Sequence, residues 1–130
     1  MKEFNLLEVS QSVKRDLSLR SNISFADRVR SSNFDSDYFD GSRKLGYGGY
    51  KYDGRWRVVA EQMVKHYQLT RDSKILDLGC GKGFLLYEFT QILPGIEIQG
   101  IDISQYAINN AKEEIKSNLI HGNVTNLPFQ

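Results

Sequence analysis

Lys74-Ile-Leu-Asp-Leu-Gly-Cys-Gly-Lys-Gly83 is the stretch that decides how the rest of this 130-residue sequence is interpreted. A short apolar run over residues 74–78 is followed by three glycines at alternate positions, and a helical apolar pattern starts at Phe84. Glycines allow a tight turn and a close approach to bare backbone, and a helix start offers unpaired N–H groups. The stretch predicts a strand, a ligand-binding turn and a helix, with a turn that binds nothing as the alternative.

The residues that follow continue the order of strand and helix. Pro94-Gly95 ends the first helix, residues 96–101 predict a second strand, and residues 119–124 predict a third. Between them Ser104 caps a predicted helix. The expected buried face of that helix consists of Ala107, Ile108, Ala111 and Ile115. A β-α-β-α-β order implies a parallel sheet with right-handed crossovers, so the predicted fold class is α/β.

Three zones precede the glycine stretch. Apolar residues at helical spacing, namely Leu6, Val9, Val13 and Leu17, predict a first helix, and a short second one is expected near residues 25–30. Residues 35–54 hold five of the eleven glycines and four of the seven tyrosines, which predicts a long ordered loop and a candidate lid. An amphipathic helical pattern then begins at Trp56, with Asp53 as its expected N-cap.

Composition excludes several classes of protein. The 17 basic and 16 acidic residues give a net charge of +1 without a dense basic stripe, so a nucleic-acid partner is not expected. The sequence shows neither an export signal nor an apolar run of membrane-spanning length. With a single cysteine, no internal disulfide can form. We therefore expect a cytoplasmic protein with no membrane contact.

An acidic residue at the end of the second strand supports the prediction that the glycine turn binds a ligand. Asp102 lies where a carboxylate can accept both hydroxyls of a ribose bound across the strand ends. A dinucleotide-binding fingerprint would also need an acid there, but it would place its third glycine at position 84, which is Phe84. Asp77 further puts negative charge near the turn, which suits a cationic amino-acid head better than a pyrophosphate. A dehydrogenase half is thereby disfavoured.

Three segments in order, residues 75–83, 100–104 and 121–129, resemble the first three signatures of class I S-adenosylmethionine-dependent methyltransferases. The resemblance implies a cofactor site formed by Asp77, Gly79, Cys80, Gly81, Asp102, Ile103, Asn123 and Val124. In it, Asp77 and the glycines would line the methionine end, Asp102 would hold the ribose, and Ile103 would pack on the adenine. Asn123 stands where the family commonly has Asp, and its amide oxygen can still accept from the adenine amino group.

The segment 47–57 is similar to the region before the first signature in some bacterial small-molecule methyltransferases. That similarity implies that Tyr47, Tyr50, Lys51 and Arg55 close over the cofactor carboxylate or the substrate, with the two cations as charge partners. The alternative interpretation is that the aromatic side chains pack the N-terminal helices onto the sheet.

The remaining reactive residue types give no catalytic assignment. Cys80 is interpreted as a small turn residue rather than a nucleophile, because no histidine lies near it in the sequence. His66 is expected at the rim of its helix, and His121 opens the third strand. Two isolated histidines make no metal site. The catalytic residues and the general base therefore stay unassigned, and no metal is expected.

The resemblance also sets the expected organisation of the chain. Residues 1–52 would be a helical cover with a Tyr/Gly-rich loop, and residues 53–130 the N-terminal half of a cofactor-binding domain, with sheet order 3-2-1. The parent would be a three-layer α/β/α, Rossmann-like protein. Its first strand would here have a bare edge, so we expect a truncated chain or self-association through that edge.

The function implied by the resemblance is transfer of a methyl group from S-adenosylmethionine to a small-molecule acceptor, with this chain supplying the cofactor-binding half. The alternative is a non-catalytic fragment that binds the cofactor or a nucleotide, or that serves as an interaction module. The sequence does not identify the acceptor, because fold analogy does not supply it.

Overall fold

The computed structural model describes residues 5–7 and 18–128. The helix predicted through Leu6, Val9, Val13 and Leu17 falls mostly on residues 8–17 and so lies outside the described residues. The helices are α1 Ser18–Ser21, α2 Phe25–Ser31, α3 Ser36–Phe39, α4 Trp56–Tyr67, α5 Phe84–Ile92, α6 Gln105–Asn109 and α7 Glu113–Lys116. The strands are β1 Lys74–Leu78, β2 Glu97–Asp102 and β3 Leu119–His121.

The three strands form one parallel sheet in the order β1-β2-β3. Asp77 of β1 lies opposite Gly100 of β2, and Asp102 lies opposite His121 of β3. The carboxyl ends of β1 and β2 therefore meet at one edge of the sheet. This confirms the predicted α/β class, the parallel sheet and the 3-2-1 order.

The core lies between the sheet and helices α4, α5 and α7. It includes Leu86, Phe89 and Ile115, each with at most 1% of its surface exposed. On α5, Leu86 and Phe89 are spaced as residues on one face of a helix are. Ala60 of α4 packs into the same cluster. A rigid, well-packed base therefore supports the loops that follow β1 and β2.

Two helix predictions were wrong, one in its N-cap and the other in its continuity. Arg55, not Asp53, stands at the N-cap of α4, because an Asp53 carboxylate oxygen accepts from the Arg55 N–H and so forms a turn ahead of the helix. The helix predicted after Ser104 is interrupted between α6 and α7, where the Asn110 side chain donates to the Tyr106 carbonyl and Lys112 is extended. The cap at Ser104 is confirmed, since its hydroxyl accepts from the Ala107 N–H.

The predicted loop over residues 35–54 is correct except for one helical turn, α3, which Asp35 caps by accepting from the Asp37 N–H. The glycines of this segment at positions 48, 49 and 54 have positive φ, which explains why the segment does not continue as a helix. None of the helices in the described part of the chain has the length and apolar character needed to cross a lipid bilayer.

Strand β1 has one neighbour, β2, within the described residues. On its face away from Ile75 and Asp77, Leu76 and Leu78 are 45% and 51% exposed. An apolar parallel strand is normally covered on both faces, so this pair of leucines is an uncovered apolar surface beside a free strand edge.

Candidate functional site

The glycine turn is fastened to the carboxyl end of β2. The N–H groups of Gly79 and Cys80 donate to the Ile101 carbonyl at 2.8 and 3.1 Å. Gly81 and Gly83 have left-handed backbone, with φ of +56° and +68°, which disfavours side chains at both positions. A Cβ at Gly83 would also lie 2.7 Å from Ile115 Cδ1, so this glycine lets α5 start close to α7.

Asp102 is the polar centre of the site. One of its carboxylate oxygens, Oδ2, accepts from the Gly81 N–H at 2.6 Å, and Oδ1 accepts from the Ser104 N–H at 2.8 Å. These two bonds orient the carboxylate between the glycine turn and the start of α6. Each carboxylate oxygen has a further lone pair, so the group can still accept from ligand hydroxyls.

Asp77 is a second carboxylate at the same end of the sheet. Burial, and then the negative charge of Asp102, raise the pKa of Asp77 above its ordinary value. Among the described residues, no lysine or arginine contributes to that pKa. The Asp77 carboxylate is thus partly desolvated beside another carboxylate, which is an electrostatic environment that favours a cation.

Cys80 lies inside the turn and is buried, with 7% of its surface exposed. Burial, together with the charges of Asp77 and Asp102, raises the pKa of the Cys80 thiol to about 12. A thiol that stays protonated at neutral pH is a poor nucleophile. This environment agrees with the interpretation of Cys80 as a small turn residue.

The residues predicted to meet the adenine lie beyond Asp102. Ile103 and Val124 are 54% and 46% exposed, so both offer apolar surface to a ligand. Asn123 is exposed, but its Oδ1 accepts from the N–H and the hydroxyl of Thr125 at 2.9 and 3.0 Å. Its amide oxygen is therefore occupied by its own turn, and its contact with adenine stays a prediction.

An aromatic stack covers the glycine turn. The rings of Tyr47 and Tyr50 stack with centroids 4.5 Å apart, and Phe39 stacks on Tyr47 at 5.6 Å. A Cβ at Gly81 would lie 3.5 Å from Phe39 and 3.8 Å from Tyr50. Trp56 Nε1 donates to the Tyr50 hydroxyl at 3.1 Å, and burial raises the pKa of Tyr50 to about 12. Tyr47 and Tyr50 therefore pack the segment, and Tyr50 also borders the turn.

The two predicted charge partners of this segment lie in different surroundings. Arg55 already binds the Asp53 carboxylate with N···O distances of 2.5 to 2.9 Å. Lys51 is exposed and lines an open pocket of about 370 Å³, whose walls also include Lys82 and Lys112. Neither Asp77 nor Asp102 lines that pocket. Contact of Lys51 or Arg55 with the cofactor therefore stays a prediction.

Sequence reasoning missed a cluster beside the glycine turn. Asp40 Oδ2 accepts from Lys82 Nζ at 2.7 Å and from the Tyr106 hydroxyl at 2.6 Å, and its Oδ1 accepts from the Tyr50 N–H at 3.0 Å. Lys82 is 5% exposed. The sequence does place Lys82 within the turn and Asp40 in the aromatic segment, but nothing local shows that they meet.

Comparison with known proteins decides the family. A family model described as "Methyltransferase domain" matches residues 69–129. The solved structure of the plantazolicin methyltransferase BpumL in complex with SAH superposes with a TM-score of 0.50 and 32% identity, over 85% of this chain and 39% of that one. Residues 69–129 of the chain therefore form a methyltransferase domain similar to those of class I S-adenosylmethionine-dependent methyltransferases. The predicted resemblance is thereby confirmed.

Curated methyltransferases match over different lengths. The ubiquinone/menaquinone biosynthesis C-methyltransferase UbiE of Campylobacter jejuni (strain 81-176) is 32% identical over 99 residues, which are 72% of this chain and 41% of the relative. The ribosomal RNA small subunit methyltransferase C of Aliivibrio salmonicida is 42% identical over 50 residues, covering 38% of this chain and 15% of the relative. This methyltransferase chain thus spans less than half the length of the curated relatives that it matches.

Proposed function

We propose that the protein transfers a methyl group from S-adenosylmethionine to a small-molecule acceptor, and that the described residues hold the methyl donor. The observation that carries this proposal is the pair of carboxylates, Asp77 and Asp102, at the carboxyl ends of β1 and β2 beside the glycine turn. The lysine of the turn, Lys82, is paired with Asp40, so the two carboxylates suit a ligand that combines positive charge with hydroxyl groups. S-adenosylmethionine has both, whereas a dinucleotide pyrophosphate would be repelled.

Each residue of the site has a distinct part in this proposal. Asp77 would attract the cationic amino-acid end, and Asp102 would accept from the ribose hydroxyls while its backbone partners keep it in place. Ile103 and Val124 would exchange exposed apolar surface for contact with the adenine. The bound cofactor would supply an electrophilic methyl group on a sulfonium.

The protein's own contribution is geometry and the exclusion of water. The turn is fixed by its bonds to the Ile101 carbonyl and to Asp102, so the donor would be held in one orientation. Phe39 and Tyr50 border the turn at Gly81 and would restrict the access of water to it. Neither the acceptor pocket nor a general base is assigned to a described residue.

A small-molecule acceptor is supported by charge and by the comparisons. A net charge of +1 provides no broad basic surface for an RNA. The relative named for ubiquinone/menaquinone biosynthesis matches 72% of this chain, and the one named for ribosomal RNA matches 38%. The better coverage of the former favours a small acceptor.

The donor part of the proposal is tested by calorimetric titration with S-adenosylmethionine. Asp102→Ala should weaken binding more than about tenfold, or about 1.4 kcal/mol, because the ribose contacts and the anchor of Gly81 are both lost. Asp72→Ala is the matched control, since Asp72 is exposed in the turn before β1, at the opposite end of that strand. Equal affinity of the two variants would contradict the proposal.

Turnover separates the enzyme from the alternative of a non-catalytic binding protein. The chain should be incubated with S-adenosylmethionine and a panel of quinols and small peptides, and S-adenosylhomocysteine should be measured. Acceptor-dependent product from the 130-residue chain would reject the alternative for this chain. Binding of S-adenosylmethionine without product from any acceptor would favour the alternative.

A further inference from the structure

Asp40 joins three parts of the molecule that are far apart in the sequence. Its carboxylate accepts from Lys82 in the glycine turn, from Tyr106 in α6 and from the Tyr50 N–H in the aromatic segment. Lys82 is 42 residues away and Tyr106 is 66 residues away. We define the aromatic segment as residues 36–50 and the glycine turn as residues 79–83.

Lys82 depends on this contact. Its side chain is 6% exposed, and its ammonium lies 2.7 Å from Asp40 Oδ2. It also lies over the Tyr106 ring, 5.6 Å from the centroid. A lysine ammonium withdrawn from water is stable only with a close anion and further polar contacts, so loss of Asp40 would force Lys82 out toward solvent. Such a movement would carry the backbone of the glycine turn with it.

A second link connects the same region to Asp102. The Ser104 hydroxyl donates to the Phe34 carbonyl, just before the aromatic segment, while the Ser104 N–H donates to Asp102. Asp102 in turn holds the Gly81 N–H. Asp40 therefore attaches the aromatic segment to the glycine turn. Ser104 links Phe34, which precedes that segment, to Asp102, with one hydrogen bond to each.

From these contacts we infer that Asp40 is a positioning residue: it sets the conformation of the glycine turn through Lys82, and thereby the affinity for S-adenosylmethionine, without contacting the cofactor. Its carboxylate accepts three hydrogen bonds from the protein, which leaves little capacity for a ligand. The inference about affinity rests on the proposed function, whereas the inference about the turn does not.

The experiment uses Asp40→Asn, which keeps the size of the side chain and removes its charge. Hydrogen–deuterium exchange of the unliganded chain should be about tenfold faster at amides 79–83, while residues 97–102 of β2 stay unchanged. Calorimetric affinity for S-adenosylmethionine should fall about tenfold, in parallel. Lys82→Met should reproduce both effects, and the double variant should be no worse than either single one, because the two residues act as a unit.

Asp37→Asn is the matched control, because Asp37 lies on α3, the helix that ends directly before Asp40, and forms an exposed ion pair with Arg30. It should change neither exchange nor affinity. Trp56, the single tryptophan of the sequence, adds a spectroscopic readout, since its indole donates to Tyr50. Its emission should shift in Asp40→Asn and stay constant in Asp37→Asn.

Three results would overturn the inference. Unchanged exchange at 79–83 in Asp40→Asn would show that the turn keeps its conformation without the charge. Faster exchange throughout, including β2, would show a general structural role. Faster exchange of the turn with unaltered affinity for S-adenosylmethionine would show that the conformation of the turn does not set that affinity. If the wild-type chain binds no S-adenosylmethionine, the proposed function fails, and the exchange data alone still decide the role of Asp40.

Discussion

Asp77 shows how the demands of binding and of stability oppose each other at a single residue. Burial and the neighbouring Asp102 raise its pKa, which means that folding without a ligand disfavours the charged form. A bound cation near Asp77 would relieve this cost.

We predict that Asp77→Asn raises the melting temperature of the unliganded chain and lowers its affinity for S-adenosylmethionine. The amide keeps the shape of the side chain but removes a partly buried charge beside another of the same sign. Differential scanning calorimetry and titration on the same samples test both parts. A variant that melts at a lower temperature would contradict the electrostatic explanation.

The stability that Asp77→Asn gains over the wild-type chain should depend on pH. Because the pKa of Asp77 is raised on folding, the folded chain binds more protons at this residue than the unfolded chain, and the stability it contributes is lost as pH rises through the folded pKa. The advantage of Asp77→Asn should thus be largest near pH 7 and should vanish below the unfolded pKa of about 3.9. A difference in melting temperature between the variant and the wild-type chain that stays constant from pH 4 to pH 7 would contradict this prediction.

At the scale of elements, α7 and β3 lie so close to the junction of β1 and α5 that they leave no space for a side chain there. Gly83 stands directly before α5, and a Cβ there would meet Ile115 at 2.7 Å and Leu119 at 2.9 Å. Both are buried core residues. The third glycine of the turn is thus a packing requirement of the fold, separate from any contact with a ligand.

We predict that Gly83→Ala lowers the free energy of unfolding by about 1–3 kcal/mol, because it adds steric overlap to an unfavourable positive φ. Gly95→Ala is the control, since Gly95 also has positive φ but nothing lies within 4 Å of its added Cβ. Urea denaturation of both variants measures the difference. Equal losses would attribute the whole effect to backbone strain.

Elements were predictable where the deciding interactions are local. The apolar runs and the Ser104 cap identify β1, β2 and the start of α6, because burial and capping act within a few residues. The expected Asp53 cap was wrong, since its carboxylate binds the Arg55 backbone and guanidinium instead. The role of Asp40 could not be predicted, because its partners lie 42 and 66 residues away.

At the scale of the whole molecule, the free edge of β1 is the feature with the clearest consequence for assembly. Leu76 and Leu78 are about half exposed beside that edge. Unpaired strand N–H and C=O groups next to apolar side chains favour pairing with another chain. We therefore propose that two copies of this chain associate through β1.

Sedimentation velocity over a range of concentrations tests this proposal. The wild-type chain should show reversible association, and Leu76→Lys should reduce it, because a charge beside a strand edge opposes pairing. Phe25→Lys is the control, as Phe25 is 82% exposed on α2, away from the sheet. A monomeric wild-type chain at all concentrations would contradict the proposal.

The bonds of Asp40 also fix an order of events during biosynthesis. The ribosome completes the aromatic segment first. The Asp40 carboxylate in that segment cannot bind Lys82 or Tyr106 until those residues have been synthesised. At about 5–20 residues per second, the 66 residues between Asp40 and Tyr106 take roughly 3–13 s to synthesise. During that interval a nascent chain exposes Phe39, Tyr47 and Tyr50, and this is the period in which a chaperone would have aromatic surface to bind.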